Sequence, residues 1–203
     1  MSAVAQTTYS ESDYLLMEEK ASYKSEYFRG EIFMMAGGTP SHNRIKENLS
    51  GEIHSILKGR QSCRSYSSDQ RIHIPSNTLY TYPDLVVVCG PDKFSEKDKN
   101  SITNPTIIIE VLSAGSTGYD RGDKFRLYRD IDSLQEYILI NSLNIGAEVF
   151  RRTPDNHWLL ASEGYKLTDS ISIKSLEASL LLSDIYDRTQ NVLEGVVAEP
   201  SEE

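Results

Sequence analysis

Two carboxylates and one lysine stand at positions where the surrounding pattern calls for apolar side chains. Asp84 opens the run LVVV, and Glu110 interrupts the apolar run TIIIEVL. Burying a carboxylate costs several kcal/mol unless it is paired or bound to a cation. Lys124 follows on a segment with helical spacing and takes the first position of an inward stripe that continues with Leu127, Tyr128 and Ile131. The pattern predicts a metal site with an ammonium group beside it.

Each of the three residues also has an ordinary structural explanation. Asp84 follows a proline in a common turn dipeptide, Glu110 fits a buried ion pair, and Lys124 fits a helix residue with its head in solvent. Two acids on predicted neighbouring central strands favour a shared cation. Carboxylates with added waters suit Mg²⁺, which activates bound water and shields a phosphate. A nearby lysine would orient that water or neutralise transition-state charge.

The elements that must position these residues are readable in chain order. The spacing predicts a short helix behind a Ser12 cap, then a hairpin that turns at Arg29-Gly30. Thr39 and Pro40 begin a second helix, which is predicted to end near Lys58-Gly59 and whose apolar stripe contains Ile45, Leu49, Ile53, Ile56 and Leu57.

The second half of the pattern predicts three core strands, a helix and a further strand. The segments CRSYSSDQRIHI and TLYTYPDLVVVC each read as one strand, the latter with a bulge or an unpaired amide at Pro83, and PTIIIEVLS is the third. Asp120 and Asp123 are predicted to cap the Lys124 helix. The strand QEYILIN, a closing hairpin and a terminal docking segment follow. This order predicts a mixed α/β fold.

Length and charge limit the class of protein. The 203 residues fit one domain over residues 10–188, with a disordered tail at 1–9 and an acidic flexible tail at 189–203. The net charge of −9 concentrates at the two ends, which leaves −1 for residues 20–188, so a nucleic-acid partner is not excluded. No signal peptide or membrane span is apparent. Cys63 and Cys89 lack metal or disulfide-framework spacing and are predicted to be reduced packing residues of a cytoplasmic protein.

The combined motifs resemble a known family. Y-P-D-L-V-V-V, N-P-T-I-I-I-E-V-L-S, D-R-G-D-K-F-R-L-Y and L-Q-E-Y-I-L-I are similar to the Uma-type putative restriction endonuclease family of the PD-(D/E)xK nuclease superfamily. The resemblance extends from the hairpin EYFRGEIFMMAGG to the terminal LSDIY. It implies a restriction endonuclease-like α/β fold: a mixed central β-sheet flanked by helices, with an N-terminal β-hairpin addition.

The resemblance also implies site residues and an activity. Asp84 and Glu110 match the acidic metal-binding positions, and the carbonyl of Val111 would be a further ligand. Leu112 occupies the usual position of the superfamily lysine, and Lys124 matches a lysine that replaces it from the following helix. The implied activity is a Mg²⁺- or Mn²⁺-dependent endodeoxyribonuclease that hydrolyses phosphodiester bonds of DNA, leaves 5′-phosphate products and needs no organic cofactor.

Other possibilities remain open from sequence. One alternative is a catalytically silent module on the same fold that binds nucleic acid or protein. The nearly neutral body, which offers few contacts to phosphates, favours it over a nuclease. In another alternative, the carboxylates and Lys124 form only a buried ion network. A homodimer is expected because two-fold symmetry serves the cutting of two strands. The pattern assigns no role to four further polar residues: His42, Asp69, Gln135 and Glu136.

Overall fold

The computed structural model describes residues 8–59, 62–190 and 192–193, so most of both predicted tails lies outside the described residues. The first half comprises α1 (Glu11–Lys20), β1 (Ser25–Phe28), β2 (Glu31–Met34), α2 (Pro40–Leu57), β3 (Cys63–Ser67), β4 (Ile72–Ile74), β5 (Leu79–Thr81) and β6 (Leu85–Cys89). The second half comprises β7 (Ile107–Leu112), α3 (Thr117–Tyr119), a π-helical turn (Asp120–Lys124), α4 (Phe125–Tyr128), β8 (Glu136–Asn141), β9 (Ala147–Arg152), β10 (Trp158–Gly164), β11 (Ser170–Ile173), a 3₁₀ turn (Lys174–Leu176), β12 (Ala178–Leu181) and α5 (Leu182–Ile185).

A six-stranded mixed sheet forms the centre of the fold, in the order β10-β9-β8-β7-β6-β3. Strands β7 and β8 run parallel, and the other neighbouring pairs are antiparallel. A second sheet, in the order β2-β1-β5-β4, contains the N-terminal hairpin. The predicted mixed α/β fold with a hairpin addition is therefore confirmed.

Each face of the central sheet is covered by its own apolar cluster. On one face, the stripe of α2 and the terminal segment around α5 pack on alternate residues of β6, β7 and β8. On the other face, α4 and the second sheet cover Val86, Val88, Ile108 and Leu112. Burial on both faces explains why the central strands are continuous apolar runs, and it makes any charged residue within them expensive.

Three local predictions are confirmed by the structure. The hairpin turns at Arg29-Gly30, where both residues have positive φ. Thr39 caps α2 by accepting the His42 amide hydrogen at 3.2 Å. The helix ends at Leu57, next to the predicted boundary.

Several boundary predictions are wrong for physical reasons. Ser10, not Ser12, caps α1, because its hydroxyl accepts the Asp13 amide hydrogen and Asp13 completes a reciprocal capping box. The helix that contains Lys124 begins earlier, at Thr117. Asp120 is buried in the π-helical turn beside Lys124 and does not serve as a cap with Asp123.

Both predicted long strands are also divided. A turn at residues 68–71 separates β3 from β4, and Tyr82-Pro83-Asp84 separates β5 from β6, so each half enters a different sheet. Pro83 lies in the connection between the two sheets, where its missing amide hydrogen costs no ladder bond.

The prediction of free thiols is wrong. Cys63 and Cys89 are directly opposed on antiparallel β3 and β6 and form a disulfide with an S–S distance of 2.02 Å. Their sequence separation of 26 residues gave no sign of this register. No helix in the described ranges is long and apolar enough to cross a membrane.

Candidate active site

A cleft of about 560 Å³ opens where the second sheet meets the end of β6. The segment from Phe33 to Thr39 forms one part of its lining, and the loop from Ser113 to Ser116 forms another. All four predicted site residues contribute to the lining: Asp84, Glu110, Val111 and Lys124. The structure therefore brings together side chains that are up to 40 positions apart in sequence.

The two predicted carboxylates face each other across adjacent strands: Asp84 immediately precedes β6, and Glu110 lies within β7. Leu85 pairs with Ile109 in the antiparallel β6–β7 ladder, which puts Asp84 opposite Glu110 with both side chains on the same sheet face. The Asp84 amide donates to Glu110 Oε2 at 3.3 Å. In return, the Val111 amide donates to Asp84 Oδ2 at 2.9 Å. Two hydrogen bonds from backbone amides thus fix the relative position of the carboxylates.

Lys124 points into this site and not into solvent. Its side chain is 7% exposed, and Nζ lies 3.0 Å from Glu110 Oε1. Tyr128, one helical turn on, donates to the same Glu110 oxygen at 2.7 Å. The π-helical turn ends at Lys124, and such turns occur often at functional sites.

Two acidic residues of the site were not predicted. Glu26 on β1 lies 3.1 Å from Lys124 Nζ and accepts a hydrogen bond from Thr81 on the neighbouring strand β5. Asp120 lies 3.7 Å from Lys124 Nζ. The sequence carried no signal for Glu26, because its burial depends on how β1 packs in the folded structure.

The electrostatics of the cleft follow from burial and from an excess of acids. Burial raises the pKa of the Glu110 carboxyl to about 8, although Lys124 opposes that rise. Burial likewise raises the pKa of Asp120. Burial alone would lower the pKa of Lys124, but Glu110 and the other surrounding groups raise it well above its ordinary value.

Asp84 behaves differently because it has cationic and hydrogen-bonding partners. Burial alone would raise its pKa, yet His42 and the Val111 amide together hold the pKa of this carboxyl below its usual range. His42 Nε2 lies 3.3 Å from Asp84 Oδ2. The site therefore sets four carboxyl groups (Glu26, Asp84, Glu110 and Asp120) against one lysine and one histidine.

The donor chemistry is compatible with a hard cation. Within the described ranges, no group of three or more His, Cys, Asp or Glu side chains is arranged to hold a metal ion. Mg²⁺, however, is commonly held by one or two carboxylates and completes its shell with water. Asp84 Oδ1 accepts no hydrogen bond from the described residues, and Glu110 Oε2 accepts one from a backbone amide. Those two oxygens fit such a pair, and the predicted ligation by the Val111 carbonyl stays a prediction.

The remaining polar candidates divide clearly. His42 lines the cleft, whereas Asp69 is 85% exposed and pairs with Lys24 outside it.

Glu136 is fully buried at the far end of β8, where Arg151 Nε contacts it at 2.8 Å. Gln135 only donates a weak side-chain bond to the Ser133 carbonyl, at 3.4 Å.

Comparisons with known proteins identify the family of the chain. The family model Uma2, described as "Putative restriction endonuclease", matches residues 11–182. Two uncharacterized proteins of Synechocystis sp. PCC 6803 are similar in sequence: sll1609 is 39% identical over 73% of this chain and 84% of its own length, and slr1290 is 36% identical over 87% and 90%.

A crystal structure described as a putative nuclease belonging to DUF820, from Anabaena variabilis, has the same fold. It superimposes with a TM-score of 0.68 and 18% identity over 86% of this chain and 95% of that one. At that identity the likeness concerns the fold alone. The sequence match over residues 11–182 is what assigns the family: the chain belongs to the Uma2 family of restriction endonuclease-like proteins.

Proposed function

We propose that this protein is a metal-dependent endonuclease that hydrolyses phosphodiester bonds in DNA at the Asp84–Glu110 pair. The observation that carries the proposal is the acidic excess of the cleft, in which Lys124 is shared by three carboxylates. A phosphodiester carries negative charge, so it would be repelled from this site unless a cation were present. The family's nuclease description supports the same reaction.

Each residue has a distinct role in this proposal. Asp84 and Glu110 would hold Mg²⁺ or Mn²⁺ with their carboxylates, and the Val111 carbonyl would be a further ligand. A bound divalent cation supplies Lewis acidity and a lowered pKa for its water. Lys124 remains protonated, orients the attacking water and neutralises charge that develops on the phosphoryl oxygens. Glu26 and Asp120 fix the position of its ammonium group.

Cleavage of plasmid and linear DNA with added Mg²⁺, Mn²⁺ or chelator tests the proposal. Wild type should cut only with the cation, and Asp84→Asn and Glu110→Gln should each lower the rate at least about a hundredfold, because Lewis-acid stabilisation is worth several kcal/mol. Asp155→Asn, at an exposed position outside the cleft, is the matched control. Equal cutting by wild type and Asp84→Asn would identify a contaminating nuclease and reject the assignment.

The close contacts of Lys124 with three carboxylates favour one alternative, in which these groups only pair with each other and catalyse no reaction. The protein would then be a catalytically silent binding module. Salt-dependent DNA binding that does not respond to divalent cations would select this alternative.

The predicted homodimer belongs to the same proposal, since two active sites related by two-fold symmetry would cut both strands. Light scattering with and without a DNA duplex measures the assembly, and a monomer under both conditions would remove it from the proposal.

A further inference from the structure

His42 makes a specific contact with one oxygen of the proposed metal ligand Asp84. Its side chain is 13% exposed, and its Nε2 lies 3.3 Å from Asp84 Oδ2. The Val111 amide donates to the same oxygen at 2.9 Å. Both donors therefore act on Oδ2, and Oδ1 accepts no hydrogen bond from the described part of the chain.

The sequence around His42 holds its imidazole in place. Thr39 accepts the His42 amide hydrogen at 3.2 Å, which sets His42 in the first turn of α2. Gly38 lies directly against the ring, because a Cβ there would be only 2.6 Å from His42 Nδ1. At Gly37 a Cβ would meet nothing within 4 Å. Neither glycine has a positive φ, so the need for glycine at position 38 is one of space.

The proton on Nε2 follows from these contacts. Asp84 is a carboxylate acceptor, so the ring nitrogen that faces it must donate, whether the imidazole is neutral or cationic. Nδ1 is buried and has no hydrogen-bond partner among the described residues. Lys46, the basic residue one turn further along α2, donates to Ser68 Oγ at 3.2 Å. His42 is therefore the side chain that directly restrains Asp84.

We propose that His42 is a positioning residue that fixes the Asp84 carboxylate, so that Oδ1 is presented to the cation, and that Gly38 provides the space this requires. The inference rests on the proposed function. Hydrogen-bonded partners of metal-binding carboxylates orient the ligand, and their loss typically weakens metal binding by about 10- to 100-fold.

Calorimetric titration of Mn²⁺ into the full chain tests this role without reference to catalysis. His42→Ala should weaken binding by about 10- to 100-fold, and His42→Gln, which keeps a donor near the position of Nε2, should recover part of the loss. His54→Ala, at an exposed position on the same helix, should bind as wild type does.

Two glycine substitutions provide a second, independent pair of variants. Gly38→Ala should displace the ring and weaken Mn²⁺ binding in the same direction as His42→Ala. Gly51→Ala, at an exposed position of α2 outside the cleft where a Cβ would meet nothing within 4 Å, should leave it unchanged. Thermal unfolding of every variant verifies that the binding change occurs in folded protein.

The outcomes separate the two proposals. Wild-type protein that takes up no Mn²⁺ would overturn the proposed function, and the role of His42 with it. Wild-type binding retained in His42→Ala and Gly38→Ala would overturn the positioning role alone. Abolished binding in His42→Ala without recovery in His42→Gln would make His42 a metal ligand, which also contradicts positioning.

Discussion

Replacement of Lys124 by methionine is the most informative perturbation of the buried charge cluster. The ammonium group is 7% exposed and lies 3.0 Å from Glu110 and 3.1 Å from Glu26. At an effective dielectric constant of about 20, one such contact is worth roughly 5 kcal/mol before the cost of desolvation. Removal of one partner from a buried pair costs about 3–5 kcal/mol. We expect a loss of that size in the free energy of unfolding of Lys124→Met at pH 9.

The loss should depend on pH because the stranded carboxyls can protonate. The folded pKa of Glu110 is about 8, compared with an ordinary value of 4.5. A group with a raised folded pKa contributes stability that is fully present below its unfolded pKa and is lost as the pH rises through its folded pKa. Removal of Lys124 takes away the attraction that lowers this pKa and so raises it further. The deficit of Lys124→Met relative to wild type should therefore be smaller near pH 5 than at pH 9, with the increase above pH 8, where only the wild-type carboxyl has ionised.

Urea denaturation from pH 5 to pH 9 measures this directly. Lys99→Met, at an exposed loop position, controls for the loss of a lysine, and Lys124→Met/Glu110→Gln should recover part of the stability at pH 9. A deficit below about 1 kcal/mol at pH 9, or one that shrinks as the pH rises, would refute the buried-cluster reasoning.

Three further stability predictions concern other parts of the molecule. Cys63→Ser/Cys89→Ser should lower the free energy of unfolding by about 3.5 kcal/mol, because the disulfide no longer restricts the entropy of a loop of this length in the unfolded chain. A reductant should have the same effect on wild type in urea denaturation, and an unchanged midpoint would contradict this. Burial lowers the pKa of His73 to about 4. The contribution of His73 to the free energy of unfolding is fully present above pH 6.5, and up to about 3 kcal/mol of it should be lost as the pH drops from 6.5 through 4. His73→Phe should flatten that acid slope, and an unchanged slope would show that other groups cause it. Tyr128→Phe removes the 2.7 Å donor to Glu110 and should cost about 1.5–3 kcal/mol in urea denaturation, whereas wild-type stability would mean that the bond contributes nothing.

The parts of the site that were predictable depend on local patterns. Apolar runs identified the central strands, so Asp84 and Glu110 stood out as charges beside or within them. The structure has Asp84 directly before β6 and Glu110 on the adjacent strand β7. Helical spacing likewise predicted the inward direction of Lys124, which the structure confirms. Cap chemistry at Thr39 correctly predicted the start of α2.

The parts that were not predictable depend on tertiary packing. Glu26 reaches Lys124 only because the hairpin packs against the end of the central sheet. Asp120 resembles a cap in sequence, but the π-helical turn rotates it into the buried cluster. The disulfide depends on the register of two strands, which residue spacing does not encode. In each case the deciding partner is distant in sequence or lies in an irregular turn.

Diffraction from crystals soaked in Mn²⁺, with anomalous data from the metal, tests the central claim most directly. We expect one strong anomalous peak beside the Asp84 and Glu110 carboxylates, and no peak there in Asp84→Asn. A soaked wild-type crystal with no peak between these carboxylates, in protein that cuts DNA, would contradict the proposed metal site.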